Sequence, residues 1–301
     1  MNHYTHLIKT ENFSRDWLEG KLFPLCEDFH QFSSTSEMFH GKSLYSLFYE
    51  PSLLTRTSFE RAINLLGGQA YHTEDASQFF PVSSPSFIDN VLNIIASMHI
   101  DVVVLRNSDE GVTERAMLTN SVHVINGGSR DDHPTQALAD LYTIDRHLGS
   151  IDDIKVAIIG RLEHRNVNAL LKGLALFKGI HVDLVPLSGQ VSPEVMEYCV
   201  KKGVSFNVRK DMEVPDNVNV VYLNAPRTLS HAQLLRNRNS LNVKIDAHFM
   251  ENLPEESIVM DPMQRSEDFP VEVDDDRLVF YKQSENGLVV RMATLYELLK
   301  N

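Results

Sequence analysis

Three short segments of this sequence carry residues whose types and spacing suit the handling of an anion and a carbonyl group. The first, Glu50-Pro51-Ser52-Leu53-Leu54-Thr55-Arg56-Thr57-Ser58-Phe59-Glu60, is rich in hydroxyls and lies between an apolar run and a helix. A helix start with free backbone N–H groups and nearby Ser and Thr is a ready anion site; the same residues also serve an ordinary capped helix with no ligand. In the second, Leu105-Arg106-Asn107, an apolar run ends in a cation. Ligands of open α/β sheets collect beyond the carboxyl ends of the strands, so Arg106 is placed to meet an anion held by the first segment, the alternative being a surface ion pair. The third is Asn126-Gly127-Gly128-Ser129-Arg130-Asp131-Asp132-His133-Pro134-Thr135-Gln136, a Gly-rich turn followed by a helix start. His133 and Gln136, one helical turn apart, can present a donor to a carbonyl oxygen and an amide to a neighbouring group.

Groups so far apart in sequence meet only if a regular scaffold brings them together. Short apolar runs alternate here with longer amphipathic stretches, the pattern of a parallel α/β sheet. The spacing predicts strands over residues 43–49, 101–105 and 122–126, and helices over 56–66 (closed by Gly67-Gly68), 87–98 and 133–148. A second set begins after Gly149, with strands over 155–160, 181–186 and 218–224, a helix over 167–177 and a last helix over 286–300. Two α/β units joined near residues 146–152 follow, and the last helix fits either one. The acidic stretch 267–276 reads as a solvated loop.

The 301 residues, 43% of them hydrophobic, suffice for two domains with cores of their own. A net charge of −13 with scattered Lys and Arg argues against nucleic acid as a partner. The start, MNHYTHLIKTENF, has no basic patch followed by an apolar segment, and no stretch reaches the ~18 apolar residues of a membrane span, so neither secretion nor a membrane is expected. Cys26 and Cys199 have no partner spacing, and the 13 His residues show no HxxxH pattern, so no disulfide framework or metal site is expected and the cytoplasm is the expected compartment.

The run SLFYEPSLLTRTSFERAINLLGG resembles the strand and signature loop of aspartate and ornithine carbamoyltransferases, commonly F-x-E-x-S-T-R-T-R-x-S-F-E, and HPTQALADLYTI resembles that family's H-P-T-Q helix. KVAIIGRLEHRNVNALLKGLALF is similar to the strand and helix that open its amino-acid domain, and YKQSENGLVVRMATLYELL to its C-terminal helix. The matches are collinear and span nearly the whole chain. The resemblance implies two doubly wound parallel-sheet domains, residues 1–145 plus 287–301 binding carbamoyl phosphate and residues 146–286 binding the amino acid. It implies transfer of the carbamoyl group to an amino group without metal or organic cofactor, in a homotrimer with sites between subunits. By position Ser52, Thr55 and Arg106 hold the phosphate, His133 and Gln136 hold the carbamoyl oxygen and nitrogen, and Thr55 shares the carbonyl.

Departures from the family pattern sit in the same places. Leu53-Leu54 stand where the motif has Thr-Arg, and the loop 74–84, where a neighbouring subunit's Lys is expected, contains none. The acceptor-binding Arg corresponds to Arg165 if the loop after Gly160 is one residue shorter, and to Asn166 otherwise; Arg227 matches a second acceptor Arg, with Leu229 where a Gln is expected. Asp261-Pro262-Met263 replaces the start of the aspartate enzymes' His-Pro-Leu-Pro, putting Met263 at the substrate, and the ornithine branch's His-Cys-Leu-Pro is absent. The resemblance therefore points to L-aspartate as acceptor, in pyrimidine biosynthesis. Two alternatives stay open: a family member without efficient turnover that serves a structural or regulatory role, and a transferase with altered donor or acceptor.

Overall fold

The structure, a computed structural model, describes residues 6–31, 36–73, 75–78, 84–209, 217–225, 243–262 and 269–300. The chain divides into two compact units, Met1–Ala139 with Glu285–Asn301, and Asp140–Ser284.

In the first unit β1 (His6–Leu7), β2 (Ser43–Phe48), β3 (Gln69–His72), β4 (Val102–Arg106) and β5 (His123–Asn126) form a parallel sheet in the order β1-β5-β4-β2-β3. The central strands are buried along nearly their whole length, because helices cover both faces of such a sheet and no position is left for a solvent-facing residue. The order reverses between β2 and β4, since the chain leaves β2 towards β3 on one side and returns as β4 on the other. Ligands of such sheets bind beyond the carboxyl ends of the strands at the reversal; at those ends of β2 and β4, Phe48 is in register with Arg106.

The helix after β2 spans Leu53–Leu65 and buries Thr55, Phe59, Ala62 and Ile63, a single stripe at helical spacing. It stops at Gly67, whose φ of +92° suits glycine and whose missing Cβ would lie 2.2 Å from the Ser36 carbonyl oxygen. The last helix, Phe280–Leu299, sets the Arg291 guanidinium over the Phe59 ring, 5.3 Å from its centroid.

The second unit repeats the plan with β6 (Lys155–Arg161), β7 (His181–Ser188), β8 (Ser205–Val208), β9 (Val220–Asn224) and β10 (Ile258–Met260), parallel in the order β10-β9-β6-β7-β8. Its reversal falls between β6 and β9, and there Gly160 has φ +131° with a Cβ position 2.0 Å from the Asn224 carbonyl oxygen. A side chain at 160 forces the strand tips apart, so Gly160→Ala is expected to cost about 2–5 kcal/mol, overpacking plus backbone strain. Urea unfolding of the variant measures it.

Inside this unit the Tyr222 hydroxyl donates to Asp140 Oδ2 at 2.7 Å, and Gln283 Nε2 donates to Oδ1 at 2.7 Å. Burial first, then the Asp140 carboxylate, push the Tyr222 phenol well above its ordinary range, so it keeps its proton and donates. Tyr222→Phe removes a donor from a buried carboxylate and is expected to lower stability by about 1–3 kcal/mol, read from denaturant midpoints.

Several boundaries differ from the sequence-based expectation. The helix expected from residue 56 starts at Leu53, so Thr55 lies within its first turn rather than ahead of it. The last helix begins at Phe280, six residues before the expected start, and the helix after β6 runs Arg165–Leu174 instead of 167–177. The expected solvated stretch 267–276 contains Phe269, fully buried in the core of the second unit.

Candidate functional site

At the carboxyl ends of β2, β4 and β5 stand the hydroxyl-rich segment, the strand-ending cation and the Gly-rich turn with its imidazole. Ser52 has extended backbone, φ −155° and ψ 110°, and its side chain makes no capping hydrogen bond to the helix it precedes. A helix start closed by its own serine is therefore not what the chain forms. The amide dipoles of the first turn favour negative charge there.

Thr55 and His133 meet directly: Thr55 Oγ1 and His133 Nε2 are hydrogen-bonded at 3.2 Å, with the residues 4% and 3% exposed. Two groups this close and this buried can aim at one oxygen atom. His133 precedes Pro134, the first residue of helix Pro134–Leu148, and its carbonyl accepts the N–H groups of Gln136 and Ala137 at 2.9 and 3.1 Å. Proline suits the first helical position because its fixed φ is already helical and its missing N–H is not needed there. Gln136 sits one turn further along, half-buried.

Arg106 ends β4 with its guanidinium held from two sides. Nη1 donates to the Gly127 carbonyl at 3.1 Å, and Nε lies 3.7 Å from Glu50 Oε2. Gly127 carries no Cβ because one would sit 2.8 Å from Val104 Cγ1, so the turn after β5 passes flat against β4. Glu50, just ahead of Ser52, supplies a carboxylate that sequence reasoning gave no role; only its charge beside an anion loop signalled it. Tyr49 immediately follows β2, and its phenol is pushed up to about 12 by burial first and by Asp109 second, so it stays protonated at any ordinary pH.

Leu53 and Leu54, between Ser52 and Thr55, are 62% and 38% exposed. Both side chains remain open to solvent instead of entering the core beside Thr55.

In the second unit, Arg165 is the first residue of its helix, capped by His164, whose Nδ1 accepts the Asn166 N–H at 3.3 Å. Arg165 and Asn166 are both buried. They follow β6, one of the two strands at that sheet's reversal, and Arg227 follows the other, β9, in sequence. Arg227 and Met263 lie outside the described residues, as do Glu74 and residues 79–83 of the loop 74–84. Among the described residues no group of three or more His, Cys, Asp or Glu is arranged to hold a metal ion. No helix among them is long and apolar enough to cross a membrane. Cys26 and Cys199 are buried thiols.

Fold and site together define a class: an α/β protein of two parallel sheets, with hydroxyls, a guanidinium and an imidazole at the strand tips of one of them. Residues 5–146 match the family profile of the aspartate/ornithine carbamoyltransferase carbamoyl-P binding domain, and residues 152–298 that of the Asp/Orn binding domain. The aspartate carbamoyltransferase catalytic subunit of Methanococcus vannielii is 33% identical, covering 98% of each chain. Chloroplastic aspartate carbamoyltransferase 1 of Pisum sativum is 32% identical over 97% of this chain and 78% of its own. Among solved structures, aspartate transcarbamoylase of Trypanosoma cruzi in complex with carbamoyl phosphate and aspartate superposes with a TM-score of 0.85 at 29% identity, covering 98% of this chain and 96% of that one. The chain belongs to the aspartate/ornithine carbamoyltransferase family.

Proposed function

We propose that this protein transfers the carbamoyl group of carbamoyl phosphate to the amino group of L-aspartate, the carbamoyl-transfer step of pyrimidine biosynthesis. The observation that carries the reading beyond family membership is the buried Thr55–His133 contact beside a strand-tip Arg106. Thr55 and His133 supply donors for the carbonyl oxygen as it becomes an oxyanion, and Gln136 takes the carbamoyl nitrogen. Ser52, Thr55, Arg106 and the helix start hold the phosphate, whose charge stays paired as it leaves. In the same reading residues 1–145 with 287–301 form the donor domain and residues 146–286 the acceptor domain. Arg165 and Arg227 pair with the carboxylates of aspartate, Met263 lines the acceptor, and the working form is a homotrimer, which light scattering tests.

With Leu53-Leu54 in place of Thr-Arg, and no Lys in the loop 74–84, the phosphate meets fewer cations than the family pattern supplies. The exposure of both leucines favours a second reading, a member that folds and assembles but turns over poorly. Calorimetric titration with carbamoyl phosphate, followed by a colorimetric ureido assay over a panel of amino acids, separates them. Binding with turnover on aspartate supports the first reading, and absence of binding supports the second. Turnover on a different amino acid moves the acceptor.

A further inference from the structure

The residue before His133 is buried, acidic and clasped by a side chain from the far end of the sequence. Asp132 is 6% exposed, and its carboxylate takes two hydrogen bonds from Thr10: the backbone N–H donates to Oδ2 at 2.9 Å and the hydroxyl to Oδ1 at 2.6 Å. Two donors from one residue fix both the position and the rotation of that carboxylate. The backbone behind it is held as well, because Ser129 donates to the Asp132 carbonyl through N at 2.9 Å and Oγ at 3.1 Å. Ser129 Oγ in turn accepts from Asn126 Nδ2 at 3.1 Å, and that amide also donates to the Ile8 carbonyl at 2.9 Å. Two residues before Thr10, Ile8 thus anchors the same loop.

We infer that Asp132 and Thr10 are a positioning pair for His133. The peptide from 132 to 133 enters the helix already fixed on the Asp132 side by the clasp, and on the far side by Pro134 and the bonds to the His133 carbonyl. With both flanks set, the backbone that carries the imidazole is held where Nε2 lies within hydrogen-bonding distance of Thr55 Oγ1. The kinetic part of this inference rests on the carbamoyl-transfer reading; the geometric part stands without it. A clasp that only tied down the N-terminal strand would lower stability on removal and leave the imidazole where it is.

The test uses the full chain and Thr10→Val, which keeps the size and the N–H bond and removes only the hydroxyl donor; Thr10→Ser restores it. For Thr10→Val kcat is expected to fall about tenfold with KM for carbamoyl phosphate within about twofold, as a small displacement of a group acting on the transition state requires. Thr10→Ser stays within about twofold of the original chain in both. The imidazole nitrogen resonances of His133, assigned by their loss in His133→Gln, move in Thr10→Val and not in Thr10→Ser. A Thr10→Val protein with lowered Tm but unchanged kcat and unmoved His133 resonances overturns the inference. If the original chain shows no carbamoyl transfer, the proposed function fails by itself and the spectrum decides this one: moved resonances support the positioning pair, unmoved ones refute it.

Discussion

Replacing His133 with alanine is expected to lower kcat for carbamoyl transfer by about 10²- to 10³-fold, the loss that follows removal of one preorganised oxyanion donor, about 2.7–4 kcal/mol. His133 is 3% exposed, so whatever it polarises is polarised away from bulk water, where a fixed donor counts most. The carbonyl oxygen gains charge only as the amine attacks, so the lost interaction belongs mainly to the transition state and KM for carbamoyl phosphate moves far less than kcat. Thr55 Oγ1, 3.2 Å from Nε2, remains as a second donor and keeps the residual rate above zero. His133→Gln retains an amide donor and is expected to lie between the two. The ureido assay at saturating carbamoyl phosphate and aspartate gives the rates, and thermal unfolding separates loss of chemistry from the cavity left in a buried site. A folded His133→Ala protein with kcat within twofold of the original removes this side chain from the reaction.

The parallel α/β plan was legible because the central strands are buried on both faces and must be apolar throughout, as in residues 102–105 and 156–159. Edge strands left no such mark. β3, Gln69–His72, is largely exposed, β1 is only two residues long, and neither contains an apolar run. The start at Leu53 was hidden because Thr55, Thr57 and Ser58 disfavour helix interiors locally, and burial of Thr55 with Phe59 overrides that preference. In the candidate site, residues at strand ends and in the loops that leave them announced themselves by type: hydroxyls after β2, a guanidinium ending β4, an imidazole in the loop after β5. The support beneath them did not. Thr10 and Asp132 are 122 residues apart, and nothing in either neighbourhood specifies the other. The ambiguity between Arg165 and Asn166 shows a different limit, because it turns on the length of a loop: the structure makes Arg165 the first helical residue and buries both.

Leu54→Arg is expected to raise kcat/KM for carbamoyl transfer about tenfold or more, and the sign can be argued from opposing contributions. A cation in the first turn of a helix opposes the helix dipole at a cost of about 0.3–1 kcal/mol, and in a cradle shared with Arg106 it meets a second like charge when the site is empty. Glu50, 3.7 Å from Arg106 Nε, lessens that second repulsion. Against these stands a charge-assisted hydrogen bond to phosphate, about 1.5–3 kcal/mol, in a geometry that a guanidinium can satisfy with two parallel N–H groups. The difference runs over about 0.5–2.7 kcal/mol with a midpoint of about 1.6, a little above the ~1.4 kcal/mol that a factor of ten in rate requires. Leu54 is 38% exposed, so the longer side chain displaces little packing and the variant should fold. Leu54→Lys brings the charge without the planar fork and should gain less, and adding Leu53→Thr to the arginine variant should gain further by returning a hydroxyl. Calorimetric titration with inorganic phosphate gives an independent readout, in which Leu54→Arg tightens binding whether or not aspartate is the acceptor. A correctly folded Leu54→Arg protein whose transfer rate and phosphate affinity both match the original chain would show that residue 54 does not face the phosphate, and the cradle would have to be drawn elsewhere.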